Sequence, residues 1–231
     1  MKKILFILFF ICAWSIQAQN IQLHYDFGRN IYSNQEVLRP KVTATFELFK
    51  ADKIGSWFYF IDLDINSKGV YGAYTEVSRE FNIGKKGFAA HIEYDGGLNK
   101  GGTFQSAALF GPAWNGHNKD FSTTYSVQLL YKPYFNSYSG RGFQSFQLTG
   151  IWSTTFAKKK CTFAGFIDFW RGEKANGHGM MVWISEPQFW YNFNSHFSAG
   201  TEVELSNNFI YNTFDDKTFF VNPTVGLKYN F

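Results

Sequence analysis

Asn222–Phe231, which reads NPTVGLKYNF, is the stretch of this chain that decides its fold. Apolar residues occupy every second position, so that Val225, Leu227, Tyr229 and Phe231 alternate with Thr224, Gly226, Lys228 and Asn230. Successive side chains of a β-strand point to opposite sides, so this alternation predicts a strand with one apolar and one polar face. The apolar face must be covered by a protein core or by lipid, and the rest of the sequence decides between the two.

The beginning of the chain predicts export from the cytoplasm. Two lysines precede the apolar run Ile4–Ile11, and the small residue Ala18 marks the expected cleavage site. The apolar run is too short to span a bilayer as an anchor. We therefore predict a signal peptide over residues 1–18 and one domain over residues 19–231.

Composition excludes several classes of protein. Removing Lys2 and Lys3 from the 22 basic residues leaves 20 against 18 acidic residues, so we expect no nucleic-acid partner. No later segment of about 20 apolar residues has a helical period, which excludes a helical membrane protein. Cys161 is the single cysteine after the signal peptide, so no intramolecular disulfide is expected.

Aromatic residues and the order of the connections favour a barrel in a membrane. Aromatics make up 21% of the chain and charged residues 17%, against about 25% charged residues in ordinary soluble proteins. About twelve alternating segments follow one another, and compact turns alternate with longer loops. Many rings lie near the turns, where a barrel meets the lipid–water boundary, whereas a soluble sandwich has no need of them there.

We therefore predict an all-β fold, a single up-and-down antiparallel transmembrane β-barrel of about 12 strands. We expect it in the bacterial outer membrane, in contact with lipid and with both termini in the periplasm. The segment over residues 104–114 is the least regular, and Pro112 weakens its assignment as a strand. Arg79 is also unexpected, because it falls on the apolar side of its segment.

The polar face predicts an acidic channel interior. The candidate solute-binding residues on this face are Glu47, Phe60, Asp62, Glu76, His91, Glu93, Asp168 and Glu186. Basic residues concentrate instead in turns and loops, as at Lys158–Lys160. A phosphate pore needs basic residues in its wall, so we expect neutral, ring-containing or cationic solutes. The alternative is that the acids form a network filling a narrow, closed structural or adhesive barrel.

Neither a cofactor nor enzymatic chemistry is predicted. The pattern His91-x-Glu93-x-Asp95 places possible ligands on one strand face, but no Cys/His cluster completes a metal site, so we expect no metal. A hydrolase would need a serine paired with a histidine. His117 and His178 lie in connections that lack a distinctive serine arrangement, so we predict that the protein is not an enzyme. A barrel-embedded hydrolase remains a further alternative.

Parts of the sequence resemble a known family. Thr45–Lys50, a short turn and Trp57–Asp62 resemble the second and third strands of the nucleoside-specific channel-forming outer-membrane proteins. Glu76–Ile83 resembles their fourth strand, and Gly226–Phe231 their last. The resemblance implies a narrow channel for passive uptake of nucleosides, and recognition of the terminal Phe231 by the barrel-assembly machinery. Carried over by position, the lumen residues would be Glu47, Asp62 and Glu76.

Overall fold

The polypeptide forms one antiparallel β-sheet that closes on itself. The computed structural model describes residues 18–32, 39–137, 142–174, 177–209 and 219–231. The predicted signal peptide lies outside these residues, apart from Ala18, which begins the first strand. No helix within the described ranges is long and apolar enough to cross a membrane.

The described part of the chain contains fourteen strand segments and one short helix. Their bounds are β1 Ala18–Asp26, α1 Gly28–Ile31, β2 Val42–Asp52, β3 Gly55–Asn66, β4 Gly69–Ile83, β5 Phe88–Asn99, β6 Gly102–Thr103, β7 Ala107–His117, β8 Thr123–Pro133, β9 Gln144–Phe156, β10 Cys161–Glu173, β11 Gly179–Ser185, β12 Gln188–Asn192, β13 Phe197–Asn207 and β14 Phe219–Asn230.

Strand pairing closes the sheet into a barrel of twelve strands, as predicted. The last strand pairs with the first, with Leu227 of β14 opposite Leu23 of β1, and β9 pairs with β10. Both β11 and β12 pair with β10 and with β13, so they are two halves of one strand interrupted at Glu186 and Pro187. The two-residue β6 pairs only with β5 and is not a separate wall strand.

The apolar face of the strands points outward. Leu23 is 49% exposed and Phe146 66% exposed on the outer surface, whereas Gln22 and His24 of the same first strand are buried inside. His24 packs within hydrogen-bond distance of Thr224 Oγ1, at 3.1 Å, and of Gln22 Oε1, at 3.0 Å. An apolar exterior around a polar interior is the reverse of a soluble domain and is typical of a barrel whose outer surface contacts lipid.

The two ends of the barrel differ in their connections. At one end, which we call the short-turn end, residues 53–54, 84–87, 118–122, 157–160 and 193–196 connect neighbouring strands. The predicted long-loop end is tighter than the sequence suggested. Ser67 and Lys68 alone join β3 to β4, and β5 continues to Asn99 before it turns into β6, so most of residues 96–103 belong to strands.

The irregular segment near residues 104–114 forms the strand β7, which begins and ends three residues later than the sequence suggests. Its pairing with β8 lacks Gly111 and Pro112, since proline cannot donate a ladder hydrogen bond. The alternation fails here because both faces of the strand are apolar. Leu109 faces inward and packs in a buried cluster with Leu130 and Tyr134.

Arg79 is placed by a local cluster at the short-turn end. Its guanidinium lies 5.0 Å from the Trp57 ring centre and 5.1 Å from that of Phe81, and it pairs with Asp52 at 2.9 Å. The side chain is only 4% exposed. An arginine on the apolar side is therefore compatible with the barrel because two rings and a carboxylate cover its charge.

Candidate solute-binding lumen

Carboxylates from both halves of the wall meet inside the barrel. Alternation turns every second residue of a strand inward, so acids on neighbouring strands stack at similar heights. The inward acids in the middle of the wall are Glu47 of β2, Asp62 of β3, Glu76 of β4, Glu93 and Asp95 of β5, Asp168 of β10, Glu186 between β11 and β12, and Glu202 and Glu204 of β13. They fall into two groups.

The first group lies on β4, β5 and β10. Carboxylate oxygens of Glu76, Glu93 and Asp95 lie within 4.8 Å of one another. The Tyr74 hydroxyl donates a hydrogen bond of 2.9 Å to Glu76, and the Lys132 ammonium pairs with Asp95 at 2.9 Å. Among the described residues this is the group with the geometry to hold a cation, although Lys132 already supplies a positive charge there. The prediction that no metal is bound stays a prediction.

Asp168 completes this group from the far wall. It accepts a hydrogen bond of 2.5 Å from Thr149 and lies close enough to Glu76 to interact electrostatically with it. Its strand, β10, is nearly opposite β4 in the ring, so acids from opposite parts of the wall act on one another at this height. A solute passing here would meet carboxylates on more than one side.

The second group combines acids of β3 and β13 with Glu186. Asp62 accepts a hydrogen bond of 2.5 Å from Thr45 and lies within electrostatic range of Glu186 and Glu202. Glu202 accepts a hydrogen bond of 2.6 Å from Gln188. The interruption of the wall between β11 and β12 places Glu186 among these carboxylates.

Arg39 neutralises the long-loop side of the second group. It donates hydrogen bonds to Asp26 at 2.7 Å and to Glu204 at 2.8 Å, and thereby connects β1 to β13, which are separated in the wall by β14 alone. All three side chains are nearly buried. Such an ion pair is costly to break, because each carboxylate would be left buried without a counter-charge.

An aromatic track runs beside the acids. The rings of Phe58 and Phe60 on β3 lie 6.0 Å apart, Phe60 lies 6.0 Å from Tyr74 on β4, and Tyr74 lies 6.3 Å from Phe104. Phe60 is opposite Glu47 on one neighbouring strand and opposite Glu76 on the other. Ring faces next to carboxylates can bind planar or cationic groups.

His91 lies closer to the short-turn end than the other candidates. Its ring nitrogens contact Glu80 Oε1 at 3.2 Å and Glu93 Oε2 at 2.9 Å, and the side chain is buried. Glu80 is also contacted by Asn115 at 2.6 Å. With both nitrogens engaged, His91 holds Glu93 in place and has no free ring nitrogen to offer a solute.

The sequence thus located the acids but missed their cations. The expectation that basic residues lie in turns and loops is wrong for Lys132, which is the last residue but one of β8 and faces inward. Its inward orientation could have been predicted, because the preceding residue, Tyr131, lies on the outward, apolar face of the same strand. Arg39 gave no such signal, since it lies in a connection and reaches the acids only through the folded barrel.

Comparison with known proteins defines the family. Over residues 18–231 the chain matches the family described as domain of unknown function DUF5020. The chain belongs to this DUF5020 family. Among curated protein sequences no relative was found.

Solved structures share the fold of this DUF5020 barrel. The NanC porin has a TM-score of 0.61 at 11% identity, with 92% of this chain and 99% of that chain covered. The KdgM porin, solved in complex with disordered oligogalacturonate, has a TM-score of 0.52 at 12% identity, covering 93% and 99%. LpxR from Salmonella typhimurium has a TM-score of 0.51 at 7% identity, covering 93% and 100%.

At these identities the likeness concerns the fold alone. The predicted resemblance is confirmed as far as a porin-like barrel, while specificity for nucleosides stays a prediction. The structure describes the contacts of His117, one of the two histidines considered for a hydrolase. His117 stacks on Phe121 at 3.8 Å and donates to the Asn118 carbonyl at 2.8 Å, and no described serine is hydrogen-bonded to it.

Proposed function

We propose that this protein is a bacterial outer-membrane channel for passive uptake of small solutes. The porin-like fold and the apolar exterior support the location and the channel class. The observation that carries the choice of solute is the pairing of mid-lumen carboxylates with the aromatic track. In the register of β3 and β4, Glu76 is paired directly with Phe60, and Asp62 directly with Tyr74.

This arrangement favours neutral ring-containing or cationic solutes. A planar base can stack on Phe60, while neighbouring carboxylates accept hydrogen bonds from sugar hydroxyls or base amino groups. Anionic solutes meet fixed negative charge in a confined space of low dielectric constant, where repulsion is stronger than in water. Nucleosides fit this description best, and we take them as the proposed substrate class.

The test is single-channel current of purified protein in planar bilayers. Nucleosides added from the long-loop side should reduce the current at concentrations at which the corresponding monophosphates do not. The double variant Asp62→Asn, Glu76→Gln should weaken this block. Asp120→Asn, which removes an exposed acid from the turn between β7 and β8, is the matched control and should leave the block intact. Equal block by monophosphates, or wild-type block in the double variant, would refute the proposed selectivity.

A closed structural or adhesive barrel is the second candidate. The buried apolar cluster of Leu109, Leu130 and Tyr134 and the Arg39 ion pairs both occupy interior space, which favours it. The same bilayer experiment separates the two, because a closed barrel would insert without conducting. A barrel-embedded hydrolase has no supporting residue arrangement among the described residues.

A further inference from the structure

The short-turn end of the barrel contains a cavity of about 530 Å³ that differs in charge from the acidic middle. The residues that line it include Lys158, Lys159, Lys160 and Lys228, together with Thr155 and Thr162. We call it the lysine vestibule. Its volume is within the range of small-molecule sites, and the described residues of its lining include four lysines and no carboxylate.

Lys228 is the key residue of the vestibule. Its Nζ lies 4.0 Å from the centre of the Trp190 ring, and no ion pair of this ammonium is found among the described residues. Lys132, in contrast, is paired with Asp95 at 2.9 Å. The ring stabilises the charge of Lys228 without accepting its hydrogen bonds in the way a carboxylate would, so its donors remain available to a ligand.

Trp190 is held firmly in place. It is only 1% exposed, and its Nε1 donates a hydrogen bond of 3.0 Å to Gln188, which in turn donates to Glu202 at 2.6 Å. These hydrogen bonds connect the vestibule, which Trp190 lines, to the acidic lumen, to which Glu202 belongs. The platform beneath Lys228 is therefore formed before any ligand arrives.

The β9–β10 turn brings further positive charge to the rim. The backbone of this turn is left-handed, with positive φ angles of 51°, 58° and 69° at Ala157, Lys158 and Lys159. Residues other than glycine rarely adopt this conformation. Asn192 Nδ2 donates to the Lys159 carbonyl at 2.9 Å and to Thr162 Oγ1 at 3.0 Å, which fixes the turn against the wall. Three consecutive lysines are thereby held around one cavity.

We propose that the lysine vestibule binds the phosphate group of a small anion. Lysine is a common phosphate ligand because it offers a point charge with several donors, and hydroxyls of Thr155 and Thr162 add neutral donors to the lining. The phosphate can belong to a free solute or to a lipid headgroup at the rim of the barrel. The vestibule is independent of the nucleoside selectivity proposed for the middle of the lumen.

The experiment is calorimetric titration of inorganic phosphate into the purified full chain. It is done in detergent, in nanodiscs of phosphatidylcholine and in nanodiscs of phosphatidylglycerol. Lys228→Gln should weaken binding roughly tenfold, the effect of losing one charge-assisted hydrogen bond. Lys228→Arg should restore most of the affinity. Lys85→Gln, which removes a lysine from another short turn that does not line the cavity, should bind like wild type.

Each outcome bears on the proposal. Phosphate binding in all three preparations supports a free solute, and binding that is kept in detergent but lost in either kind of nanodisc supports a lipid headgroup in the same place. Absence of binding in every preparation overturns the proposal. So does equal affinity of the Lys228→Gln and Lys85→Gln variants. Heat-dependent gel mobility confirms that each variant is folded.

Discussion

Replacing Leu23 with arginine tests whether the apolar exterior contacts lipid. Leu23 lies near the middle of β1, opposite Leu227 on one side and Ala44 on the other, with about half of its surface outside the barrel. An arginine at the bilayer midplane costs about 2–4 kcal/mol. This lowers the ratio of folded to unfolded protein by roughly 30- to 700-fold. Denaturant unfolding in lipid vesicles, followed by tryptophan fluorescence, measures the change.

Ile54→Arg is the matched control for this substitution. Ile54 is 60% exposed at the tip of the β2–β3 turn, outside the region that should contact acyl chains. The cost of arginine falls to about 0–1 kcal/mol near the membrane interface. If both variants lose the same free energy of unfolding, the exterior does not face a bilayer and the barrel is not a membrane protein.

Further predictions concern the chain end and the buried ion pair. Deleting Phe231, whose N–H donates to the Gln19 carbonyl at 3.0 Å, should lower the yield of membrane-inserted, heat-modifiable protein, and undiminished insertion would contradict a role in assembly. Arg39→Gln should lower the free energy of unfolding by about 3–5 kcal/mol, because two buried carboxylates lose their counter-charge. The exposed Arg29→Gln should cost much less. Comparable losses in these two variants would show that the Arg39 contacts contribute little.

The sequence predicted the wall of the barrel because wall position depends on local alternation. Leu23 and His24 differ by one residue and face opposite sides, as their polarity requires. The same reasoning placed Asp62, Glu76 and Asp168 inside. It failed where the polarity of a residue does not match the face on which its side chain lies, as at Leu109, which is apolar but faces the interior.

Contacts across the lumen could not be predicted from alternation. Arg39 contacts Asp26 and Glu204 only because the last strands of the barrel lie beside the first. The alternation of polar and apolar residues along one strand does not predict this closure of the barrel. The height of a residue also depends on register. His91 shares a strand face with Glu93, yet register with β4 brings its ring to Glu80.

Charge selectivity tests the central proposal, a conducting barrel with an acidic interior, most directly. The measurement is the reversal potential of single channels in planar bilayers under a potassium chloride gradient. Because the inward carboxylates of Glu76, Asp168 and Glu202 lie on different sides of the lumen, the potential should have the sign of potassium preference. A preference for chloride, or inserted barrels that carry no current at all, would contradict the proposal.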